Sequence, residues 1–204
     1  MNKPLNTVVF DLGNVLIDWD PRHLYRKVFD DTDRMEEFLR DVCSMDWIRQ
    51  SDAGKPLATC IEKLSLQHPH EADNIALFET RWHEMMQESI GGTLQILENL
   101  KVQGMPLYVL SNWSAETWPR ALERFDFLDL FDGLVISGIE GVAKPDPEIY
   151  RRLERFGVDL ERAAFIDDRA DNIHAANALG MTGFLFTDAD TLAAQLLESG
   201  LLTQ

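Results

Sequence analysis

Short apolar runs alternate along most of the chain with segments of helical periodicity. Three of the helical segments, residues 93–103, 148–156 and 172–179, are each followed by a glycine. Glycine readily adopts the left-handed conformation that closes a helix, so these glycines predict helix ends. The apolar runs that come next are short and do not alternate with polar residues, which is typical of strands buried on both faces.

Five such runs predict five core strands, at residues 8–10, 106–110, 133–136, 163–166 and 182–186. Helices that alternate with buried strands indicate βα units and a parallel sheet. We therefore predict an α/β fold with a parallel sheet at its core.

One region between the first two strands lacks this alternation. Residues 18–91 hold no convincing strand and instead show helical spacing over residues 24–29, 35–42, 57–66 and 75–86. We predict a separate small helical bundle there, with hinges at residues 18–21 and 90–92. Two adjacent glycines in the second hinge fit a hinge and a helix start equally well.

Composition and net charge exclude several classes of function. The chain has 204 residues, 45% of them hydrophobic, and 19 basic against 35 acidic residues give a net charge of −16. This balance argues against nucleic acid and anionic membranes as partners, since both select basic surfaces. No apolar stretch approaches the ~18 residues of a membrane span, and no signal-peptide pattern is seen, so we expect a cytoplasmic protein. Cys43 and Cys60 form neither a disulfide framework nor a zinc-binding spacing.

Polar side chains collect at the predicted carboxyl ends of the strands, where open parallel sheets bind ligands. Taken singly, several have ordinary explanations, such as a helix cap or a solvated strand end. Two adjacent carboxylates repel each other unless a cation or a proton intervenes, so Asp167 and Asp168 indicate a metal site. Together the motifs form a joint signal, and in chain order they are Asp11, Ser111, Asn112, Lys144, Asp167 and Asp168.

This order of motifs resembles the haloacid dehalogenase (HAD) superfamily over residues 5–16 and 92–190. Phe-Asp-Leu-Gly-Asn-Val at residues 10–15 and Asp-Asp-x-x-Asp-Asn at residues 167–172 further resemble its α-D-glucose-1-phosphate phosphatase branch. The resemblance implies a Rossmann-like parallel sheet in a core domain of residues 1–17 and 92–204. It also implies an inserted all-helical cap domain at residues 18–91.

The same resemblance implies a phosphomonoester hydrolase that forms an aspartyl-phosphate intermediate on Asp11. Small phosphorylated metabolites would be its substrates, and a monomer or homodimer is expected. Mg²⁺ is the expected cofactor, chosen over Mn²⁺ from the oxygen ligands alone. The implied ligands are Asp11, Asp167, Asp168 and the Gly13 carbonyl, with Asn172 orienting the aspartates. Ser111 and Lys144 would act in catalysis, and the substrate-binding residues would be Ser111, Asn112, Lys144, Asn14 and Trp47.

Gly13 departs from the family pattern. Most phosphatases of the superfamily carry there a second aspartate that protonates the leaving group, and such catalysis is worth ~10²–10⁴-fold. One explanation is a leaving group that needs little protonation, such as the anomeric oxygen of a sugar 1-phosphate. Another is a substitute acid, for which Asp18 and Asp20 are candidates.

Two other functions remain open. A 2-haloacid dehalogenase also lacks the second aspartate, but the resemblance gives that class a small polar residue in place of Asp167. A non-catalytic binding protein with this fold is the other alternative. In each case, specificity is expected to come from the insertion, with a loop at residues 44–55 that includes Trp47, Arg49 and Gly54 reaching the site.

Overall fold

The computed structural model describes residues 4–203 and contains two sheets. Five strands form a parallel sheet in the order β5-β4-β1-β6-β7, which confirms the predicted α/β fold. The other two pair antiparallel as a small second sheet. The strands are β1 (Thr7–Phe10), β2 (Ile17–Trp19), β3 (Met86–Ser89), β4 (Leu107–Ser111), β5 (Gly133–Ile136), β6 (Ala163–Asp167) and β7 (Thr182–Leu185).

Helices fill the connections. The α-helices are α1 (Arg22–Tyr25), α2 (Thr32–Asp41), α3 (Met45–Asp52), α4 (Leu57–Gln67), α5 (Ala72–Thr80), α6 (Gly91–Val102), α7 (Trp118–Arg124), α8 (Ser137–Glu140), α9 (Pro147–Arg151), α10 (Ala170–Ala178) and α11 (Ala189–Glu198). Short 3₁₀ turns lie at Pro69–Glu71, Trp82–Met85, Asp126–Leu130, Arg152–Phe156 and Leu160–Arg162.

The central strands β1, β4 and β6 of the parallel sheet are buried on both faces, which explains why they are apolar without alternation. On one face Val8 and Phe10 of β1 join an apolar cluster that includes side chains of α6 and α11. On the other face Val9 joins a cluster with α9 and α10. The helices thus lie on both sides of the sheet and leave the carboxyl ends of its strands as one open edge.

The segment between β2 and β3, residues 20–85, is helical and is called the helical insertion below. Its two ends are tied together, because β2 pairs with β3 and the Ile90 N–H donates to the Leu16 carbonyl at 2.8 Å. The prediction that residues 18–91 hold no strand was wrong. β3 was missed because its middle residues, Gln87 and Glu88, are polar and exposed, and it has no apolar run.

Two further boundaries differ from the sequence prediction. Residues 44–55 were predicted as a loop, but α3 fills most of this segment and begins at Ser44, whose hydroxyl accepts a hydrogen bond from the Trp47 N–H. The paired glycines after β3 mark the start of α6. Within residues 4–203, no helix combines the length and apolarity needed to cross a membrane.

Candidate active site

The sheet order brings three of the predicted site residues together. β1 lies between β4 and β6, so Asp11, directly after β1, has Ser111 and Asp167 at the ends of its two neighbours. Lys144 reaches the same edge from the loop between α8 and α9. All four side chains are buried.

Asp11 is held by donors on both of its carboxylate oxygens. Ser111 Oγ and the Leu12 N–H each donate to Oδ1 at 2.7 Å, and Lys144 Nζ lies 2.9 Å from Oδ2. Burial raises the pKa of Asp11 to about 7, although the charge of Lys144 opposes the shift. A group that lowers this pKa again, such as a cation, would keep Asp11 ionised.

Lys144 is fixed at both its backbone and its side chain. Asn112 clamps the backbone, since its Nδ2 donates to the Lys144 carbonyl at 3.0 Å and its Oδ1 accepts from the Lys144 N–H at 2.8 Å. Nζ bridges Asp11 and Asp167. Burial lowers the pKa of Lys144, but these two carboxylates outweigh it and raise the pKa overall. The ammonium group therefore stays charged between two acids.

Asp167 is occupied by protein donors. Asn172 Nδ2 contacts both carboxylate oxygens at 2.9 and 3.0 Å, the Arg169 N–H donates to Oδ1, and Lys144 Nζ donates to Oδ2 at 2.7 Å. Asp168 faces the opening instead and is partly buried. Burial, followed by the charge of Asp167, raises the pKa of Asp168.

These aspartates can hold a metal ion. Asp11, Asp167 and Asp168 each offer a carboxylate oxygen within 4.8 Å of the others. No backbone N–H of the described chain donates to the Gly13 carbonyl, which leaves that oxygen available as well. An all-oxygen donor set suits a hard divalent cation such as Mg²⁺.

A cavity of about 180 Å³ lies between this edge and the helical insertion. Its polar side near the sheet includes Asp11, Lys144, Asp168 and Arg169. The lining also includes a group of apolar and aromatic side chains, which are Trp19, Met45, Ile48, Leu57, Phe78, Trp82 and Trp113. A ligand could therefore place a charged group at the aspartates and an apolar body against the insertion.

Helix α3 supplies one wall of this cavity. Met45, Ile48, Arg49 and Asp52 all line it, at the i, i+3, i+4 and i+7 positions of one helix face. Trp47 lies off that face and is not among the cavity-lining residues that the structure describes. Its ring packs against Phe78 with centroids 5.0 Å apart, and its Nε1 donates to the Cys60 carbonyl. The structure thus places the predicted substrate contact Trp47 in the core of the insertion.

The predicted substitute acids also lie elsewhere. Asp18 pairs with His23 at 3.0 Å, Asp20 accepts from the Arg22 N–H, and neither belongs to the cavity lining found in residues 4–203. Gly13 and Asn14 do line the cavity, and a Cβ on Gly13 would have no neighbour within 4 Å. Position 13 is therefore open towards the cavity and has no side chain to fill it.

Sequence reasoning missed Asp52. It is the last residue of α3, is partly buried, and lines the same cavity as Asp11 and Asp168. Burial raises the pKa of Asp52 to about 7, with smaller opposing effects from Arg49 and Lys144. No motif marks this residue, but the helix-face spacing with Ile48 and Arg49 could have identified it once α3 was recognised.

Comparison with known proteins agrees with this fold. A family model for haloacid dehalogenase-like hydrolases matches residues 5–180. The chain is 30% identical over 191 residues to a sesquiterpene phosphatase of Aspergillus oryzae, covering 93% of each chain. It is 32% identical over 199 residues to a glyceraldehyde 3-phosphate phosphatase of Pyrococcus abyssi, covering 87% of this chain and 79% of the relative. A HAD-family enzyme of Bacteroides thetaiotaomicron, crystallised with magnesium and inorganic phosphate, superposes with a TM-score of 0.66 at 24% identity, over 90% of this chain and 95% of that one.

Proposed function

The chain belongs to the haloacid dehalogenase-like hydrolases, and from this membership we propose that it is a Mg²⁺-dependent phosphomonoester hydrolase with an aspartyl-phosphate intermediate. One observation carries the proposal. The buried Asp11 carboxylate is held by Ser111 and Lys144 and lies within the cluster of acids that can bind a metal. Phosphatase relatives that cover most of the chain support the same reaction class.

The metal would be held by Asp11, Asp168 and the Gly13 carbonyl. Mg²⁺ bound there would offset the charge of the phosphate and let an anionic nucleophile approach it. We assign Asp167 to positioning, because its side chain is fully buried and, unlike Asp11, is not among the cavity-lining residues of the described chain, so it would reach the metal through water. Asn172 orients Asp167 through its two hydrogen bonds.

The other site residues act on the phosphoryl group. An oxygen of Asp11 attacks phosphorus, and Lys144 offsets the charge that spreads over the phosphoryl oxygens in the transition state. Ser111 orients Asp11 through the hydrogen bond that its hydroxyl donates, and this single proton would turn to the phosphoryl group once that group is bound. Asn112 holds Lys144 in place and faces the cavity, and Asn14 borders the cavity beside Gly13.

The helical insertion would serve as a cap. We propose a cap domain at residues 18–91 over a core domain of residues 1–17 and 92–204. A cap that covers the strand ends excludes water and supplies the contacts that select a substrate. Residues of the insertion that line the cavity, such as Ile48 and Arg49 on α3, would make these contacts.

Two substrate classes have support. A sugar 1-phosphate fits the absence of an acid at Gly13, since its anomeric oxygen needs little protonation to leave, and the Pyrococcus relative is named for a small phosphorylated carbohydrate. A phosphate of an apolar alcohol fits the aromatic lining of the cavity and the name of the Aspergillus relative. The aromatic side chains in the cavity lining distinguish between the two substrate classes better than the absence of an acid at Gly13 does.

Phosphate release from a substrate panel tests the proposal. The panel contains glucose 1-phosphate, glucose 6-phosphate, farnesyl phosphate and p-nitrophenyl phosphate, assayed with and without Mg²⁺. We expect Mg²⁺-dependent release that is lost in Asp11→Asn. Phosphate release by the variant at the wild-type rate would contradict the proposal. If the wild-type enzyme releases no phosphate from any of these substrates but releases halide from 2-chloropropionate, a dehalogenase would be favoured. Equal kcat/KM for the two glucose phosphates would remove the sugar 1-phosphate preference.

A further inference from the structure

We propose that Asp52 is the general acid and base of this site and takes the role that a side chain at Gly13 would otherwise fill. The proposal rests on the phosphatase function proposed above and adds a residue to it. It also assigns chemistry to the helical insertion, since Asp52 belongs to α3 rather than to a strand end.

Few carboxylates line the cavity, and Asp52 is the one without another proposed role. The carboxylates found to line the cavity within residues 4–203 are Asp11, Asp52 and Asp168, and no histidine lines it there. Asp11 is the proposed nucleophile and Asp168 a proposed metal ligand. Asp52 is therefore the carboxyl group that remains for proton transfer.

The backbone that follows Asp52 packs against the part of the molecule that contains the parallel sheet. The turn that follows it contains Gly54, with a φ of +89°, where a Cβ would lie 3.2 Å from the Cα of Gly141. A little further on, the Leu57 N–H donates to Glu116 Oε1 at 3.0 Å, which ties the start of α4 to the core. The end of α3 is thus packed on the parallel-sheet part of the molecule and does not depend on a flexible loop.

The carboxyl group of Asp52 is free to exchange a proton. Within the described chain, no donor forms a hydrogen bond or an ion pair with it, whereas Asp167 has both oxygens occupied. Burial supports a protonated resting form near neutral pH, because it raises the pKa of Asp52 to about 7. The charged groups that share its cavity are Arg49, Lys144, Arg169, Asp11 and Asp168.

In the proposed reaction, Asp52 loses one proton and regains one proton in each turnover. In the first step an oxygen of Asp11 bonds to phosphorus, the bond from phosphorus to the leaving oxygen breaks, and that oxygen takes the proton of Asp52 and departs as the alcohol. In the second step water attacks phosphorus and gives a proton to the Asp52 carboxylate, while the phosphorus–Asp11 bond breaks. Inorganic phosphate leaves, and both aspartates return to their starting forms.

The dependence of the rate on the leaving group tests this role. Benzyl phosphate and p-nitrophenyl phosphate are similar in size, but benzyl alcohol is a much weaker acid than p-nitrophenol and needs a proton to leave. The value of kcat/KM reports steps up to formation of the aspartyl phosphate. In Asp52→Asn we expect it to fall at least ~10²-fold for benzyl phosphate and less than about threefold for p-nitrophenyl phosphate.

Two further variants separate this role from a structural one. Asp73→Asn removes an exposed carboxylate from α5 of the same insertion and should leave both rates unchanged. Gly13→Asp places a carboxyl group in the open space at position 13, and combined with Asp52→Asn it should recover at least tenfold of the lost benzyl phosphate rate. A merely misfolded Asp52→Asn protein would not be rescued in this way.

Three results would overturn the proposal. Two concern Asp52→Asn: an equal loss of kcat/KM on both substrates, or no loss of kcat/KM on either. The third is a wild-type enzyme that hydrolyses p-nitrophenyl phosphate but not benzyl phosphate. The phosphatase function itself survives all three, because it fails only where the wild-type enzyme releases no phosphate or Asp11→Asn releases it equally.

Discussion

In the proposed reaction, positions 13 and 52 together determine how a proton reaches the leaving group. The backbone does not require glycine at position 13, because Gly13 is absent from the residues with a positive φ and its Cβ position is open. If Asp52 supplies the proton, an activated leaving group is no longer needed. The choice of substrate then depends on the apolar lining of the cavity rather than on the acidity of the leaving alcohol.

Asp52 is expected to reduce stability at alkaline pH. Its pKa is 3.8 when unperturbed and about 7 in the folded protein, so folding favours the protonated form. Its unfavourable contribution therefore grows as pH rises from the unfolded pKa through the folded one and is complete above about 7. Asp52→Asn should raise Tm by a few degrees at pH 8 relative to wild type and have little effect at pH 4, as measured by thermal melts. A Tm difference of the same size at both pH values would contradict this account.

Lys144 is expected to support both stability and rate. Lys144→Met would leave Asp11 and Asp167 without their shared cation in a buried site, at a cost of about 3 kcal/mol. It should also lower kcat/KM by ~10²-fold or more, by analogy with the loss of one preorganised donor. Chemical denaturation and phosphate release measure the two effects.

The matched control is Lys101→Met. Lys101 forms a surface ion pair with Asp132, and such pairs contribute within ~1 kcal/mol. Equal destabilisation by the two lysine variants would show that burial of the Lys144 pair has no special role.

At the scale of the element, the α3–α4 turn is expected to control the position of Asp52. Gly54→Ala introduces a side chain at a positive φ, at ~1–2 kcal/mol, and brings a methyl group against Gly141. The turn must move away from the core and carry Asp52 with it. We expect kcat/KM for benzyl phosphate to fall at least tenfold, with a smaller change for p-nitrophenyl phosphate. Gly104→Ala, also at a positive φ but far from the cavity, should leave this ratio unchanged, and a ratio unchanged in Gly54→Ala would refute the role of the turn.

The centre of the parallel sheet was predictable because burial on both faces makes β1, β4 and β6 continuous apolar runs. Helix ends were predictable where a glycine follows the last turn, as at Gly157, whose φ is +82°. β3 was not predictable, because its pairing with β2 depends on how the helical insertion folds and brings its own two ends together. In addition, two of the four residues of β3 are exposed. Segment 75–86 was predicted as one helix, but α5 ends at Thr80 and a 3₁₀ turn precedes β3.

The site residues also include some that were predictable from the sequence and some that were not. Strand-end residues such as Asp11 and Ser111 were predictable because the topology of a parallel sheet brings its carboxyl ends together. The contribution of the insertion depended on recognising α3 and its orientation. Without these, Trp47 was predicted as a substrate contact and Asp52 was not considered. An aromatic side chain beside a site has no sequence signal that separates substrate contact from core packing, and packing against Phe78 explains Trp47.

At the scale of the molecule, one apolar cluster joins the sheet to the insertion. It includes Phe10 of β1, Leu97 of α6 and Phe38 of α2, so the two parts share a core on one side of the sheet. The cavity lies where they face each other across the strand ends. Substrate charge and substrate body would therefore be recognised by different parts of the chain.

Metal binding should stabilise the whole molecule. A ligand that binds the folded form at a hundred times its Kd adds about 2.7 kcal/mol. We expect Mg²⁺ to raise the Tm of wild type in a concentration-dependent way, and this increase to vanish in Asp168→Asn, which removes a proposed ligand. Glu62→Gln, on the exposed face of α4, should keep the increase. A Tm increase that persists in Asp168→Asn would place the cation elsewhere.

Trapping the covalent intermediate directly tests whether Asp11 is the nucleophile. The enzyme is mixed with p-nitrophenyl phosphate and Mg²⁺, quenched in acid and reduced with borohydride, which converts an aspartyl phosphate to homoserine. Peptide mass analysis then locates the modified residue. We expect homoserine at position 11, and we expect its formation to depend on Mg²⁺ and on substrate. Phosphate release without modification of Asp11, or modification at another aspartate, would contradict it.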